Sequence, residues 1–179
     1  GLNRTYPNVI NYEGVFGLEQ MKWSKPTVDQ VTYDVTVPFI RMAAGPMDYT
    51  QGAMRNATKK NYQPVNSEAM SQGTRCHQLA EYVVFDSPLN MLCDSPSNYM
   101  AETECTEFIA ECPTVWDESI AVNGVLGRYI TLARRSGDVW YVGSLNDWKS
   151  RDLTLDFGFL GDGEWTMEIF RDGINADRA

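Results

Sequence analysis

Two glutamates near the start of the chain have the residue type and spacing for acid/base or metal chemistry. Glu13 and Glu19 are six positions apart, with Gly14 and Gly17 between them. Six residues of straight strand span roughly 20 Å, and helical positions six apart lie on different faces. The two carboxylates can therefore converge only if the chain bends between them, which glycine permits. The same pattern also fits a glycine turn with two solvated acids, and the sequence leaves both interpretations open.

The residues around this pair predict how it would be positioned. Residues 9–12 include strand-forming side chains directly before Glu13. We therefore expect a strand that ends near Glu13, a tight turn over residues 14–17, and a return that brings Glu19 toward the strand end.

Local signals predict one helix, an extended run and a loop in the next part of the chain. Thr36 and Pro38 suit the cap and first turn of a short helix, and Gly45 suits the position just past its end. Residues 46–50 are expected to be extended. Residues 52–73 are polar and predict a long loop, which in a compact domain is usually functional or mobile.

Helical spacing of apolar residues is clearest over residues 74–86. Ser87 and Pro88 fit the cap and first position of a further helix that would run to about residue 93. Residues 105–110 predict one more short helix.

The periodicity changes to alternation in the last third of the chain, which is typical of strands. The strand candidates are residues 119–122, 128–134, 139–145, 151–157 and 165–170. Turn residues at 123–124, 136–138 and 162–163 separate several of them. This pattern predicts an antiparallel all-β unit arranged as a sandwich.

The charge of the chain limits its partners. The 179 residues carry a formal net charge of -9 at pH 7. An acidic surface repels the phosphates of nucleic acids and anionic lipids, so neither partner is expected. Neutral sugars remain compatible, and the five Trp and nine Tyr residues could stack on sugar rings or fill a core. No apolar run approaches the roughly 18 residues that indicate a membrane span.

The cysteines and the histidine give no sign of a zinc site. Cys76, Cys93, Cys105 and Cys112 form no CxxC pair, and His77 is the only histidine. A zinc site built from Cys and His is therefore not expected. We expect mostly buried free thiols, and a structural or surface role for His77.

Three long motifs in the first hundred residues resemble glycoside hydrolase family 97. They are RTYPNVINYEGVFGLE at 4–19, PFIRMAAGPMDYTQG at 38–52 and QLAEYVVFDSPLNML at 78–92. The resemblance continues through residues 114–118, 133–135, 143–148 and 170–178, so it covers nearly the whole chain.

The resemblance implies a fold. Members of this family have an N-terminal β-sandwich, a central (β/α)₈ barrel and a C-terminal β-sandwich. By this likeness the chain is an α+β multidomain fragment. Residues 1–98 would hold the last strand/helix units of the (β/α)₈ barrel, residues 99–113 a connector, and residues 114–179 an incomplete antiparallel β-sandwich.

The resemblance also implies a function and assigns roles to the glutamates. Members are exo-acting α-glucosidases or α-galactosidases that act on terminal α-linked sugars. Glu19 matches the general acid, and Glu13 and Glu19 match ligands of a bound Ca²⁺, an ion that takes roughly six to eight oxygen ligands. The base or nucleophile would lie upstream of Gly1, so both the inverting or retaining outcome and the choice of glucose or galactose stay open. The chain alone is expected to be inactive.

Two further side chains are candidates for binding an α-linked oligosaccharide. Asp48 would lie at the C-terminal end of a barrel strand, where barrel sites are built, and its alternative role is to cap a turn. Trp23 could line a sugar pocket or pack in the core.

An alternative is a non-catalytic β-sandwich module for structure, subunit contact or carbohydrate binding. A homo-oligomer, or the remainder of the same protein, is an expected partner. The family resemblance implies a periplasmic or secreted location in a bacterium.

Overall fold

Short helices dominate the first two thirds of the chain. The computed structural model describes residues 2–25, 27–68 and 70–176. The helices are α1 Leu2–Thr5, α2 Leu18–Met21, α3 Gln30–Asp34, α4 Val37–Ile40, α5 Arg75–Val84, α6 Pro96–Ala101 and α7 Thr103–Glu111. The strands are β1 Asn56–Ala57, β2 Ser71–Gln72, β3 Glu118–Val125, β4 Tyr129–Ser136 and β5 Val139–Asn146. Single 3₁₀ turns cover Met42–Ala44 and Gly158–Leu160.

The helices predicted over residues 36–45, 74–86 and 105–110 are confirmed by α4 with its following 3₁₀ turn, by α5 and by α7. The predicted cap of α4 is wrong, because the Thr36 hydroxyl donates to the Thr32 carbonyl instead. The Thr74 hydroxyl caps α5 by accepting a hydrogen bond from the backbone N–H of His77 at 3.2 Å. The Thr74 cap and the helical spacing of apolar residues both favour a helix here. Their agreement explains why α5 is the clearest helix in the sequence.

The helix predicted from Ser87 to about residue 93 is wrong. The Ser87 hydroxyl donates to the carbonyl of Leu89 at 2.8 Å and holds a local turn instead. The same Ser-Pro signature does start a helix eight residues later, where Ser95 caps α6 and Pro96 occupies its first turn. Sequence reasoning placed the helix at the first of two equivalent start signals.

Three of the five predicted strands are confirmed and form one antiparallel sheet in the order β3-β4-β5. Residues 151–157 and 165–170 are wrong as strands, because neither segment has a pairing partner among the described residues. The turn predicted at residues 123–124 is also wrong. These residues lie inside β3 next to a bulge between Ala121 and Asn123, and the chain reverses at residues 126–128.

The described residues form no second sheet that could complete a sandwich. The sheet is covered by α5, which packs against β5. The contact is close at Gly143 of β5, where a Cβ would lie 2.8 Å from the Val83 Cβ and 2.9 Å from the Ala80 carbonyl oxygen. Within the described residues, the predicted sandwich is thus a three-stranded antiparallel sheet with α5 packed on it.

Parallel pairing in the first part of the chain is short. Tyr12 and Met47 form an isolated parallel bridge, in place of the strand expected up to Glu13. β1 and β2 form a two-residue parallel pair inside the predicted loop 52–73. The described residues therefore do not show the predicted barrel.

The largest core cluster combines residues from both halves of the chain. Its buried members are Val35, Val37, Met47, Tyr49, Val84, Phe85, Ile130, Leu132 and Leu145. All four cysteines are free thiols, but only Cys112 is buried and the other three are half-buried, so the prediction of mostly buried thiols is wrong in its burial. No described helix is long and apolar enough to cross a membrane.

Candidate functional site

The structure confirms a bend between Glu13 and Glu19. Glu13 directly follows the Tyr12 bridge, and Gly14 then takes a φ of 92°, a left-handed conformation that favours glycine. Glu19 lies in the first turn of α2, which begins at Leu18. The return segment predicted after the turn is therefore the start of a short helix.

Residues 46–50 connect the two glutamate segments. The Asp48 backbone N–H donates to the Tyr12 carbonyl at 3.1 Å, next to Glu13. Two residues later, the Thr50 hydroxyl accepts a hydrogen bond from the backbone N–H of Glu19 at 3.0 Å. Asp48 thus lies beside the Glu13 segment, and the same extended run holds the helix that carries Glu19.

Arg41 fixes the backbone around Glu13. Its guanidinium donates to the carbonyls of Tyr12 and Glu13, each at 2.8 Å. It also donates to the carbonyls of Gly45 and Pro46, at 3.0 and 3.2 Å. The group lies 4.7 Å from the centre of the Tyr12 ring, within the range of a cation–π contact. Sequence reasoning missed Arg41, whose only signal is its place inside the family motif at 38–52.

The carboxylates of Glu13 and Glu19 are exposed, and Asp48 is half-buried. None of the three forms an ion pair with a Lys or Arg side chain in the described residues. Their oxygens therefore remain available to a ligand. Glu13 and Glu19 do not belong to a group of three or more converging metal ligands within residues 2–25, 27–68 and 70–176.

Trp23 projects from the turn after α2 and is 61% exposed. The Lys22 ammonium lies 4.7 Å from the centre of its ring. This exposure contradicts a core-packing role in the described structure. A role in binding sugar stays a prediction.

A second cluster of titratable side chains lies in the interior. The His77 Nε2 lies 3.2 Å from the Asp34 Oδ2 and 3.3 Å from the Glu81 Oε1. All three side chains are buried. Of the structural and surface roles expected for His77, the structure therefore supports the structural one. The Tyr49 hydroxyl donates to the other Asp34 oxygen at 2.6 Å. Sequence reasoning missed this cluster because Asp34 is distant in sequence from the other two residues.

The buried cluster shifts the pKa values of its members. Burial lowers the pKa of His77, but hydrogen bonds to the Asp34 and Glu81 carboxylates outweigh this effect and raise it to about 10. Burial, followed by the charge of Asp34, raises the pKa of Glu81 above its ordinary value. Both shifts favour the protonated forms of His77 and Glu81.

Comparison with known proteins bears on both halves of the chain. Residues 115–179 match the family model described as "Glycosyl-hydrolase 97 C-terminal, oligomerisation". A retaining alpha-galactosidase of Bacteroides thetaiotaomicron VPI-5482 is 69% identical over 179 residues, which are 100% of this chain and 27% of that protein. The chain belongs to glycoside hydrolase family 97.

A second, more distant relative also matches nearly the whole chain. A probable retaining alpha-galactosidase of Streptomyces bingchenggensis is 29% identical over 173 residues, covering 97% of this chain and 25% of that protein. The chain thus spans about a quarter of the length of the relatives it matches.

Solved structures of family 97 enzymes resemble the fold. A variant of an enzyme from Pseudoalteromonas sp. strain K8 in complex with panose has a TM-score of 0.76 and 33% identity, covering 91% of this chain and 25% of that chain. The enzyme in complex with acarbose has a TM-score of 0.70 and 34% identity, covering 84% of this chain and 23% of its own.

Proposed function

We propose that the full-length protein is a retaining α-galactosidase that removes terminal α-linked galactose, and that this chain supplies its general acid, Glu19. The observation that carries the proposal is the 69% identity, along the whole chain, to a protein named as a retaining alpha-galactosidase. A second relative with the same activity in its name supports galactose over glucose and retention over inversion.

The chemistry of Glu19 follows from the retaining mechanism. Its carboxylic acid donates a proton to the glycosidic oxygen while the bond from that oxygen to the anomeric carbon breaks. A carboxylate from a part of the protein outside this chain attacks the anomeric carbon and forms a glycosyl ester, at roughly 5–5.5 Å from the acid. The Glu19 carboxylate then takes a proton from water, which hydrolyses the ester and restores the acid.

The backbone contacts support this role by limiting the movement of Glu19. Its N–H is held by the Thr50 hydroxyl, and the neighbouring Glu13 segment is held by Arg41. A proton donor must lie within hydrogen-bond distance of the leaving oxygen, so small displacements of α2 would reduce the rate.

We propose Glu13 and Glu19 as ligands of Ca²⁺. Exposed carboxylates without a cationic partner are oxygen donors of the kind that Ca²⁺ prefers, and the remaining ligands would come from outside this chain. The ion would supply positive charge that orients the two side chains. Asp48 and Trp23 are proposed to contact the sugar, because one lies beside the Glu13 segment and the other exposes its ring after α2.

Substitution of the proposed acid tests the function. In the full-length protein, Glu19→Gln should lower the turnover of natural α-galactosides by about 10²–10⁴-fold, the usual contribution of a general acid. The kcat/KM for nitrophenyl α-galactoside should fall less, because it reflects the first bond cleavage, in which this leaving group needs little protonation, whereas its kcat still depends on Glu19 as base in ester hydrolysis. Glu107→Gln, at an exposed position of α7, is the matched control. Near-normal turnover of natural substrates by Glu19→Gln would remove Glu19 from the acid role.

A second function, subunit contact, is favoured for residues 115–179. The family model that matches them carries the word oligomerisation in its description. Trp165, Met167 and Ile169 alternate along an extended segment and are 46%, 56% and 68% exposed. Apolar side chains at every second position of an extended run are typical of a strand that buries one face.

A further inference from the structure

Three ligand-type side chains from two helices meet in the interior, whereas Glu13 and Glu19 are exposed. His77 and Glu81 are four residues apart and therefore share one face of α5. Asp34 is the last residue of α3. We propose that Asp34, His77 and Glu81 bind a divalent transition-metal ion of the Zn²⁺ type, at a site separate from the one proposed for Ca²⁺.

The distances within the cluster fit a metal site. The His77 Nε2 lies 3.2 Å from an oxygen of Asp34 and 3.3 Å from an oxygen of Glu81. Two ligand atoms of a tetrahedral ion with bonds of about 2.0–2.1 Å lie roughly 3.3 Å apart. One atom from each of the three residues lies within 4.8 Å of the others, so little movement is needed to surround one ion.

An unpartnered oxygen also points to a missing ligand. The Glu81 Oε2 is buried and has no hydrogen-bond partner among the described residues. Neither Glu81 nor Asp34 forms an ion pair with a Lys or Arg side chain in this part of the molecule. A divalent cation that displaces the bound protons would form, with two carboxylates and a neutral imidazole, an uncharged group suited to this buried position.

Outer hydrogen bonds orient the proposed ligands. The Tyr49 hydroxyl donates to the Asp34 Oδ1 at 2.6 Å, which leaves Oδ2 facing His77. Gln30 in turn donates to the Tyr49 hydroxyl at 2.8 Å. Gln78 donates to the Glu81 Oε1 at 3.3 Å. Hydrogen bonds of this kind fix ligand orientation at metal centres.

The donor set selects the class of ion. One imidazole nitrogen with two carboxylates suits Zn²⁺ and related ions. Ca²⁺ prefers roughly six to eight oxygen ligands, which this closed interior does not offer. Because the ligands are buried and come from α3 and α5, the ion would hold the two helices together.

Spectroscopic titration with Co²⁺ as the probe tests the site. The full-length protein is stripped of metal with a chelator and saturated with Ca²⁺, which fills the site proposed for Glu13 and Glu19. We expect one equivalent of Co²⁺ to bind with the visible absorption of a tetrahedral nitrogen/oxygen site, and Zn²⁺ to displace it. Thiolate charge-transfer bands should be absent, and Cys76→Ser with Cys93→Ser should leave the spectrum unchanged.

The matched variants are Glu81→Gln and the exposed Glu107→Gln. Glu81→Gln should lose more than about 100-fold in Co²⁺ affinity, beyond the usual loss for an outer-shell partner, while Glu107→Gln should bind normally. If Glu81→Gln does not fold, the stoichiometry and spectrum of the unmodified protein decide. Failure of that protein to bind stoichiometric Co²⁺, or a thiolate spectrum, would overturn the proposal and show that protons alone balance the cluster. Activity plays no part in this readout, so the proposed function stands or falls separately.

Discussion

Arg41 shows how one side chain can stabilise the backbone of a proposed catalytic segment. It donates to four carbonyl groups and stacks on Tyr12. A lysine would keep the charge but could not reproduce the planar fork of donors. The geometry of the Glu13 segment therefore depends on the guanidinium itself.

Replacement of Arg41 should weaken both the fold and the proposed Ca²⁺ site. Arg41→Met keeps the apolar stem and removes the donors, so we expect a loss of about 2 kcal/mol in the free energy of unfolding. Ca²⁺ affinity of the full-length protein should fall with it. Denaturant unfolding and calcium titration measure the two effects, and Arg4→Met at an exposed position is the control. Unchanged values for both quantities would contradict the positioning role.

At this scale the sequence indicates residue types but not their distant partners. Glu13, Glu19 and the glycine bend between them follow from local spacing. Arg41 and Thr50 act through contacts that span 28 and 31 residues, which no local pattern reveals. Asp34 meets His77 across 43 residues for the same reason.

The packing of α5 on β5 decides how the sheet is covered. Gly143 allows the helix backbone to approach the strand, because its missing Cβ would overlap Val83 and the Ala80 carbonyl. The side chains of Val83 and Val84 are themselves buried, so they cannot easily move away from a larger residue at position 143.

A methyl group at this position should separate the two elements. Gly143→Ala is expected to lower the free energy of unfolding by about 1–3 kcal/mol, the usual cost of overpacking a core. Gly173→Ala, where a Cβ meets nothing within 4 Å, should be nearly neutral and is the matched control. Urea unfolding of both variants in the full-length protein measures the difference. Equal stability of the two variants would mean that the helix–strand contact is looser than described.

Helices and strands with a regular spacing of apolar residues could be predicted from the sequence. Segments whose structure depends on pairing with a distant segment could not. α5 and the three strands of the sheet show regular apolar spacing. Residues 151–157 and 165–170 alternate in the same manner, yet a strand exists only where another strand pairs with it, and the described residues provide none. Likewise, Ser87-Pro88 and Ser95-Pro96 are equivalent start signals, and tertiary contacts select the second.

For the whole molecule, the exposed apolar run at residues 165–169 bears on assembly. Met167→Asp with Ile169→Asp in the full-length protein should shift an oligomer toward the monomer, because a charge cannot be buried in an apolar interface without a partner. Light scattering after gel filtration measures the mass. Met100→Asp, at a 77% exposed position on α6, is the control and should keep the assembly of the unmodified protein. An unchanged mass in the double variant would exclude this surface as the subunit contact.

The largest core cluster has a consequence for the chain as a whole. Val84 and Phe85 at the end of α5 lie in one cluster with Ile130, Leu132 and Leu145 of the sheet. Separating the sheet from the helical part of the chain would expose the apolar side chains of this cluster on both parts. A local opening that released the sheet would thus also loosen α5, which packs against it. Amide hydrogens of α5 should exchange with solvent only when the sheet exchanges too, and a protease cut between residues 98 and 114 would not release two stable pieces.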